Sequence, residues 1–298
     1  MAAARVPGVG ATLPPAVKAG LTRARSVAWR ARTRGRGDTT GGLRVLLYHR
    51  VADDDDPLSL APRRFREQMA YLAAEGYTVV DLATAVAMLD AGEVPPRTLG
   101  LTFDDGFTDV RDEALPVLAE HGFRATVFVT SGVTDGRLRF PWYAGPQPPV
   151  LGWDEVVELD REGTLRFEGH TVSHPNLLST DDSAARAEIT DGRHELEQHL
   201  GRRVSAFAYP AGLYGERERR LVAEAGYTAA VTCEPGVNLP SSDRMALRRR
   251  QIDRGDSLLD FRAKIGGGHD TPLPMRGVYR RLRYGAGAGT PRRLSSRA

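Results

Sequence analysis

Between residues 43 and 275, short and nearly continuous apolar runs alternate with longer amphipathic stretches. The runs at 44–48 (RVLLY), 78–80, 98–103 (TLGLTF), 125–130 (ATVFVT), 164–168, 204–209 (VSAFAY), 228–232 and 247–252 predict strands buried on both faces. The stretches 62–74, 82–91, 109–121, 153–161, 180–200, 214–225 and 256–265 predict helices. Asp81 stands where an N-cap is wanted, and Ser179, Thr180 or Asp181 can cap the long helix; Gly92 and Gly201 close these two helices. Gly76, Gly122, Gly163 and Gly226 each stand between a helix and the next strand. The segment 134–149, rich in Gly, Pro and aromatics, reads as a long surface loop.

Repeated strand–helix alternation implies parallel strands covered by helices. Seven or eight such units in about 230 residues suit a closed barrel better than an open sheet. The expected architecture is therefore α/β, a distorted (β/α) barrel of about seven parallel strands forming a single domain over 43–275.

The flanks change the picture of the charge. The chain of 298 residues has a net charge of +3, but residues 1–42 carry eight basic residues against Asp38, and residues 276–298 carry seven arginines and no acid. Each flank is thus +7, and the body between them is −11. Residues 1–42 show no sustained apolar periodicity and residues 285–298 are low-complexity, so both flanks are expected to be disordered or loosely attached basic tails, solvated or in contact with an acidic partner or an anionic membrane surface. The acidic body argues against nucleic acid as a partner. No stretch is long and apolar enough to span a bilayer, and no signal-peptide core is recognisable, which gives the expectation of a cytoplasmic or membrane-peripheral protein. The single cysteine, Cys233, excludes an internal disulfide and a cysteine-cluster zinc site.

Catalytic groups of parallel α/β folds sit at the carboxyl ends of strands. Thr102-Phe103-Asp104-Asp105-Gly106 places two adjacent carboxylates after an apolar strand, where they face opposite ways. Gly169-His170-Thr171-Val172-Ser173-His174-Pro175 places two imidazoles in a loop after another strand, since Pro175 disfavours helix at His174. Either motif alone also reads as an ordinary polar turn. Together they offer two histidines and a carboxylate for one divalent metal, and a second carboxylate to act as base on a water.

On these two motifs the chain resembles the polysaccharide deacetylase family, with the NodB-type homology domain of the carbohydrate esterase 4 group. The resemblance covers roughly 43–265. It implies a distorted barrel, Asp104 as catalytic base, and Asp105, His170 and His174 as ligands of zinc or another divalent transition ion. Phe207-Ala208-Tyr209-Pro210-Ala211-Gly212 resembles the third family motif, with Tyr209 and Pro210 shaping the groove and the Ala211 N–H facing the oxyanion. The chain departs from the family at Ala208, where many members have an arginine that steadies the base. Arg249, within Arg248-Arg249-Arg250, is the candidate to replace it; the other reading is a solvated charge run. No late Leu-x-His motif supplies the general acid. Leu47-Tyr48-His49 supplies one early, so a permuted arrangement puts His49 forward, ahead of His269 in its glycine run. Trp153 reads as helix-start packing. The implied activity is metal-dependent removal of N-acetyl groups from a carbohydrate. A metal-dependent amidase or O-acetyl esterase on another substrate, and a non-catalytic carbohydrate-binding protein, remain as alternatives.

Overall fold

The computed structural model of the chain describes residues 15–35, 37 and 42–271. It begins with α1 (Pro15–Thr33) and β1 (Arg44–Tyr48). Two short strands, β2 (Arg50–Val51) and β3 (Ser59–Leu60), pair with each other before α2 (Pro62–Ala74). Next come β4 (Thr78–Val80), α3 (Leu82–Ala91) and β5 (Thr98–Asp104). A π turn over Val110–Ala114 leads into α4 (Leu115–Glu120), β6 (Ala125–Val129) and the short α5 (Ser131–Thr134). The chain continues through α6 (Trp153–Glu162), β7 (Leu165–Gly169), α7 (Asp182–Leu200), β8 (Ala206–Ala208), α8 (Glu216–Glu224), β9 (Ala229–Val231), β10 (Arg249–Gln251) and α9 (Leu258–Ile265).

Seven strands run parallel in the order β10-β1-β5-β6-β7-β8-β9, the expected barrel. β4 adds to the start of β5 at Thr98, Leu99 and Gly100, before β6 begins to pair at Thr102. Leu247 brings the two ends of the order together. Its N–H donates to Ala230 O at 2.8 Å, and its carbonyl accepts from the Thr232 N–H at 2.8 Å. The barrel is therefore nearly closed.

Period-2 alternation sorts the strand residues. Leu46, Tyr48, Leu101, Phe103, Val127, Phe167 and Phe207 belong to the larger core, which includes Phe65 and Met69 of α2 and Ile189 and Leu196 of α7. Val45, Phe128, Ala206, Ala208, Ala229, Val231 and Leu247 form a second cluster inside the barrel. Asp81 accepts from the Thr84 N–H and Asp181 from the Ala184 N–H, while Gly92 and Gly201 end their helices left-handed.

The stretch 109–121 is not one regular helix. Pro116 has no N–H to donate, and one residue earlier the Leu115 N–H reaches back to Val110 O, widening the turn.

The expectation of a disordered 1–42 tail is corrected over residues 15–33. They form α1, which lies along α9. Trp29 is buried there, and its Nε1 donates to Gly266 O at 3.1 Å. Lys18 pairs with Asp253 at 2.6 Å and Arg23 with Asp260 at 3.2 Å. His269 is buried in the same seam, 3.1 Å from Ser26 Oγ. The basic segment 276–298 lies outside the described residues. Among the described residues, no helix is long and apolar enough to cross a membrane.

Candidate metal centre and active site

The chain turns sharply at the end of β5. Asp105 and Gly106 are both left-handed, with φ of 75° and 68°. A Cβ on Gly106 would lie 2.7 Å from Val129 Cγ1, so glycine is required both by the conformation and by the packing on β6. The turn leaves both aspartates buried at the barrel mouth.

Two imidazoles meet Asp105. Its Oδ1 lies 3.7 Å from His170 Nε2 and 3.8 Å from His174 Nε2. The His170 ring is oriented by Nδ1, which donates to Ala208 O at 2.7 Å and leaves Nε2 free to coordinate. Thr171 and His174 are left-handed, with φ of 69° and 58°. For a β-branched residue such as Thr171 this is a strained conformation, of the kind found where function over-determines the backbone. Glu188 of α7 holds the loop in that shape. Its carboxylate accepts from the Val172 N–H at 3.0 Å, the Ser173 N–H at 2.9 Å and the Ser173 hydroxyl at 2.6 Å.

The donor set fits a divalent ion. Asp105 Oδ1 is buried with no hydrogen-bond partner, which is costly unless a cation satisfies it. Burial, and then the adjacent Asp104 charge, push the Asp105 carboxyl well above the usual range. Burial also holds His170 and His174 below the ordinary histidine value, so both imidazoles are neutral, as ligands must be. Among the described residues these three form the one group of His, Cys, Asp or Glu side chains able to share an ion.

Asp104 faces Arg249 instead. The guanidinium donates from Nη1 to Oδ1 at 2.6 Å and from Nη2 to Oδ2 at 2.8 Å, a bidentate pair. The register explains the reach. Val45 pairs with Arg249 on one side of β1 and with Gly100 on the other, so Arg249 starts one layer below Thr102 and two below Asp104. Its side chain rises inside the barrel, passing Thr102 Oγ1 at 3.2 Å and Thr232 O at 2.9 Å, over the Phe128 ring. Arg249 is 0% exposed, so the middle residue of the arginine run is not a solvated charge. Burial alone would raise the Asp104 carboxyl; the guanidinium outweighs it and brings the value down to about 2.

His49 follows β1 on the inward face that Val45 and Leu47 begin. Burial lowers its imidazole to about 4, against the pull of Asp104 and with the help of Arg249 and His170.

Tyr209, expected in the groove, is elsewhere. Two residues beyond Phe207, it shares the outward face; its ring stacks on Tyr214 at 4.8 Å and its hydroxyl donates to Met245 O at 3.0 Å. Pro210 is buried and opens a 3-10 turn in which Ala211 is left-handed, with φ of 55°.

The loop expected at the surface over 134–149 supplies an unforeseen wall. Phe140 and Trp142 are buried with Phe107 and Val133. The Trp142 ring stacks on Phe140 at 4.5 Å and meets the His174 ring edge-on at 4.7 Å. Its Nε1 is buried without a partner among the described residues. The aromatic content of the segment was the available signal.

Residues 91–230 match the family model described as polysaccharide deacetylase. The chain carries a polysaccharide deacetylase domain. Over 224 residues it is 27% identical to “Putative polysaccharide deacetylase YxkH” of Bacillus subtilis (strain 168), covering 75% of this chain and 76% of that protein. It is 24% identical to the poly-beta-1,6-N-acetyl-D-glucosamine N-deacetylase of Staphylococcus epidermidis, covering 69% and 77%. The fold is shared with Streptococcus pyogenes deacetylase PplD, solved in complex with acetate, at a TM-score of 0.67 and 24% identity over 76% of this chain and 99% of that one. In this deacetylase domain His49 and Arg249 both lie outside the segment that the family model matches.

Proposed function

We propose that the protein is a metal-dependent hydrolase that removes N-acetyl groups from a carbohydrate, giving acetate and a free amino sugar. The observation that carries this reading is the convergence of Asp105, His170 and His174 beside a separate carboxylate, Asp104, that is held ionised. Two imidazole nitrogens and one carboxylate oxygen suit zinc or a similar divalent transition ion with an open position. Such an ion, when bound, supplies a Lewis acid that acidifies the attacking water and polarises the acetyl carbonyl.

The protein groups divide the remaining work. Asp104 accepts the proton of the attacking water. Paired with Arg249 it is a weak base, suited to a water already made acidic, and the bidentate grip fixes the direction of its free lone pairs. The Ala211 N–H donates to the carbonyl oxygen as that oxygen gains charge. His49, neutral at rest, takes up the proton that Asp104 removed from the water and hands it to the nitrogen as the C–N bond breaks, so that the amine leaves neutral. Trp142 and Phe140 shield the ligand His174 from water and give the acetyl methyl an apolar wall. The relative acting on poly-beta-1,6-N-acetyl-D-glucosamine supports an N-acetylated hexosamine glycan as the substrate class.

Asp105→Ala and His174→Ala provide the test. Each is expected to lose bound zinc, measured by elemental analysis, and to lose acetate release from N-acetylglucosamine oligomers. Full acetate release by both variants would overturn the assignment.

A further inference from the structure

We propose that the outward face of α1 is a docking surface for an anionic lipid bilayer. The helix turns its polar and aromatic side inward, where Trp29, Ser26 and Lys18 reach α9 and the segments flanking it. Its opposite side is apolar. Val17, Leu21, Ala24, Val27, Ala28 and Ala31 recur at i, i+4, i+7, i+10, i+11 and i+14, which is one stripe of an α-helix. All six are exposed, with Val17 at 46%, Leu21 at 41% and Val27 at 53%.

Cations edge this stripe on both sides. At 100° per residue, Arg23 and Arg30 fall along one border and Arg25 and Arg32 along the other. The helix holds one lysine, these four arginines and no acid. An apolar stripe bordered by arginines is the pattern of a helix lying in the bilayer interface. Its apolar side chains enter the acyl boundary while the exposed Arg30 and Arg32 meet phosphates; Arg23 and Arg25 also hold the helix to the body, at Asp260 and at the carbonyls of Gly268 and Thr271. The one-signed charge selects anionic over neutral lipid. A second copy docking by the same stripe would press arginine borders against each other. Nucleic acid would need the arginines but not the stripe.

The test uses the full chain and sedimentation with phosphatidylcholine vesicles, with and without phosphatidylglycerol. Binding is expected only with phosphatidylglycerol, and to weaken as salt rises. Leu21→Asp with Val27→Asp, and separately Arg30→Glu with Arg32→Glu, are each expected to reduce it by about tenfold or more. All four positions are exposed, so unchanged thermal unfolding will show that the fold is kept. The proposal is overturned by any of three results: no binding of the native chain to phosphatidylglycerol vesicles, full binding by the Leu21→Asp/Val27→Asp variant, or a dimer that this variant dissociates.

Discussion

Arg249 carries two burdens at once, which makes its substitution informative. It neutralises a buried carboxylate, and its two parallel hydrogen bonds fix the direction in which that carboxylate points. Arg249→Met leaves Asp104 charged, buried and unpaired, a situation that costs about 3–5 kcal/mol. A drop of that size in the urea unfolding free energy is expected, together with a loss of activity. The double variant Arg249→Met/Asp104→Asn should recover most of the stability and none of the activity. Recovery of both would separate Asp104 from catalysis. His49 calls for a different readout, because its assigned role depends on the leaving group. His49→Gln should lower kcat on an acetylated amino sugar by ~10²–10⁴-fold. On an acetanilide with an electron-poor ring, whose amine leaves without help, the loss should be much smaller. Equal losses on both substrates would point to a structural role.

The same residues differ in how plainly the sequence announces them. Asp104, Asp105, His170 and His174 sit in two contiguous motifs, each directly after an apolar run, so strand-end chemistry could be read without a structure. Arg249 is one of three consecutive arginines, and only register decides which of them points into the barrel. Glu188 is a mid-helix glutamate with nothing local to mark it, since its partners come from a loop 15–16 residues away. Tyr209 stands in the motif that resembles the family's groove-shaping segment, but alternation along the strand turns its ring outward onto Tyr214.

Among the elements, α1 shows most clearly why a pattern can mislead. Contrary to the expectation that 1–42 lacks apolar periodicity, its apolar residues recur with helical period over α1, and they face away from the protein. The inward contacts are a tryptophan, hydroxyls and ion pairs, which leave no apolar signature of docking. His269 sits in this seam, facing Ser26 and surrounded by the charges of Lys264, Arg25, Arg250 and Asp260. Burial and the three cations lower it to about 3, against the pull of Asp260 and far under its unfolded value of about 6.5. The folded state therefore prefers the neutral ring. Its stabilising contribution is complete above about pH 6.5 and is lost as the pH falls from there towards 3. Chemical unfolding at a series of pH values should show this decline in the native chain and a shallower one in His269→Gln. Identical slopes would remove His269 from the account. The loop 134–149 failed to read as part of the site for a related reason. Its aromatics are buried by Phe107 and lie against His174, residues that chain order places far from them.

For the whole molecule, an ion at the mouth ties β5 to the loop after β7 and should act as a cross-link of the native state. Adding zinc to metal-free protein at about one hundred times its dissociation constant should stabilise the fold by about 2.7 kcal/mol. The corresponding rise in the melting temperature is expected to vanish in Asp105→Ala. A rise of the same size in that variant would show that zinc binds elsewhere. The barrel itself was legible because eight short runs, most of them apolar, alternate with helical stretches, and a closed parallel sheet is the arrangement that buries them. What the runs could not convey is closure through Leu247, which depends on two backbone bonds and not on a side-chain pattern.

The place of β1 has a consequence for synthesis on the ribosome. The first barrel strand to emerge is flanked in the finished sheet by β5 on one side and by β10, the last strand, on the other. One edge of the apolar segment RVLLY must therefore wait, unpaired, until residues 249–251 have left the exit tunnel. For that interval the nascent chain presents an open parallel edge, the kind of surface that recruits chaperones or aggregates. It also means that no truncated product ending before β10 can pair Asp104 with Arg249. Completion of the barrel and formation of the Arg249–Asp104 pair are thus a single late event.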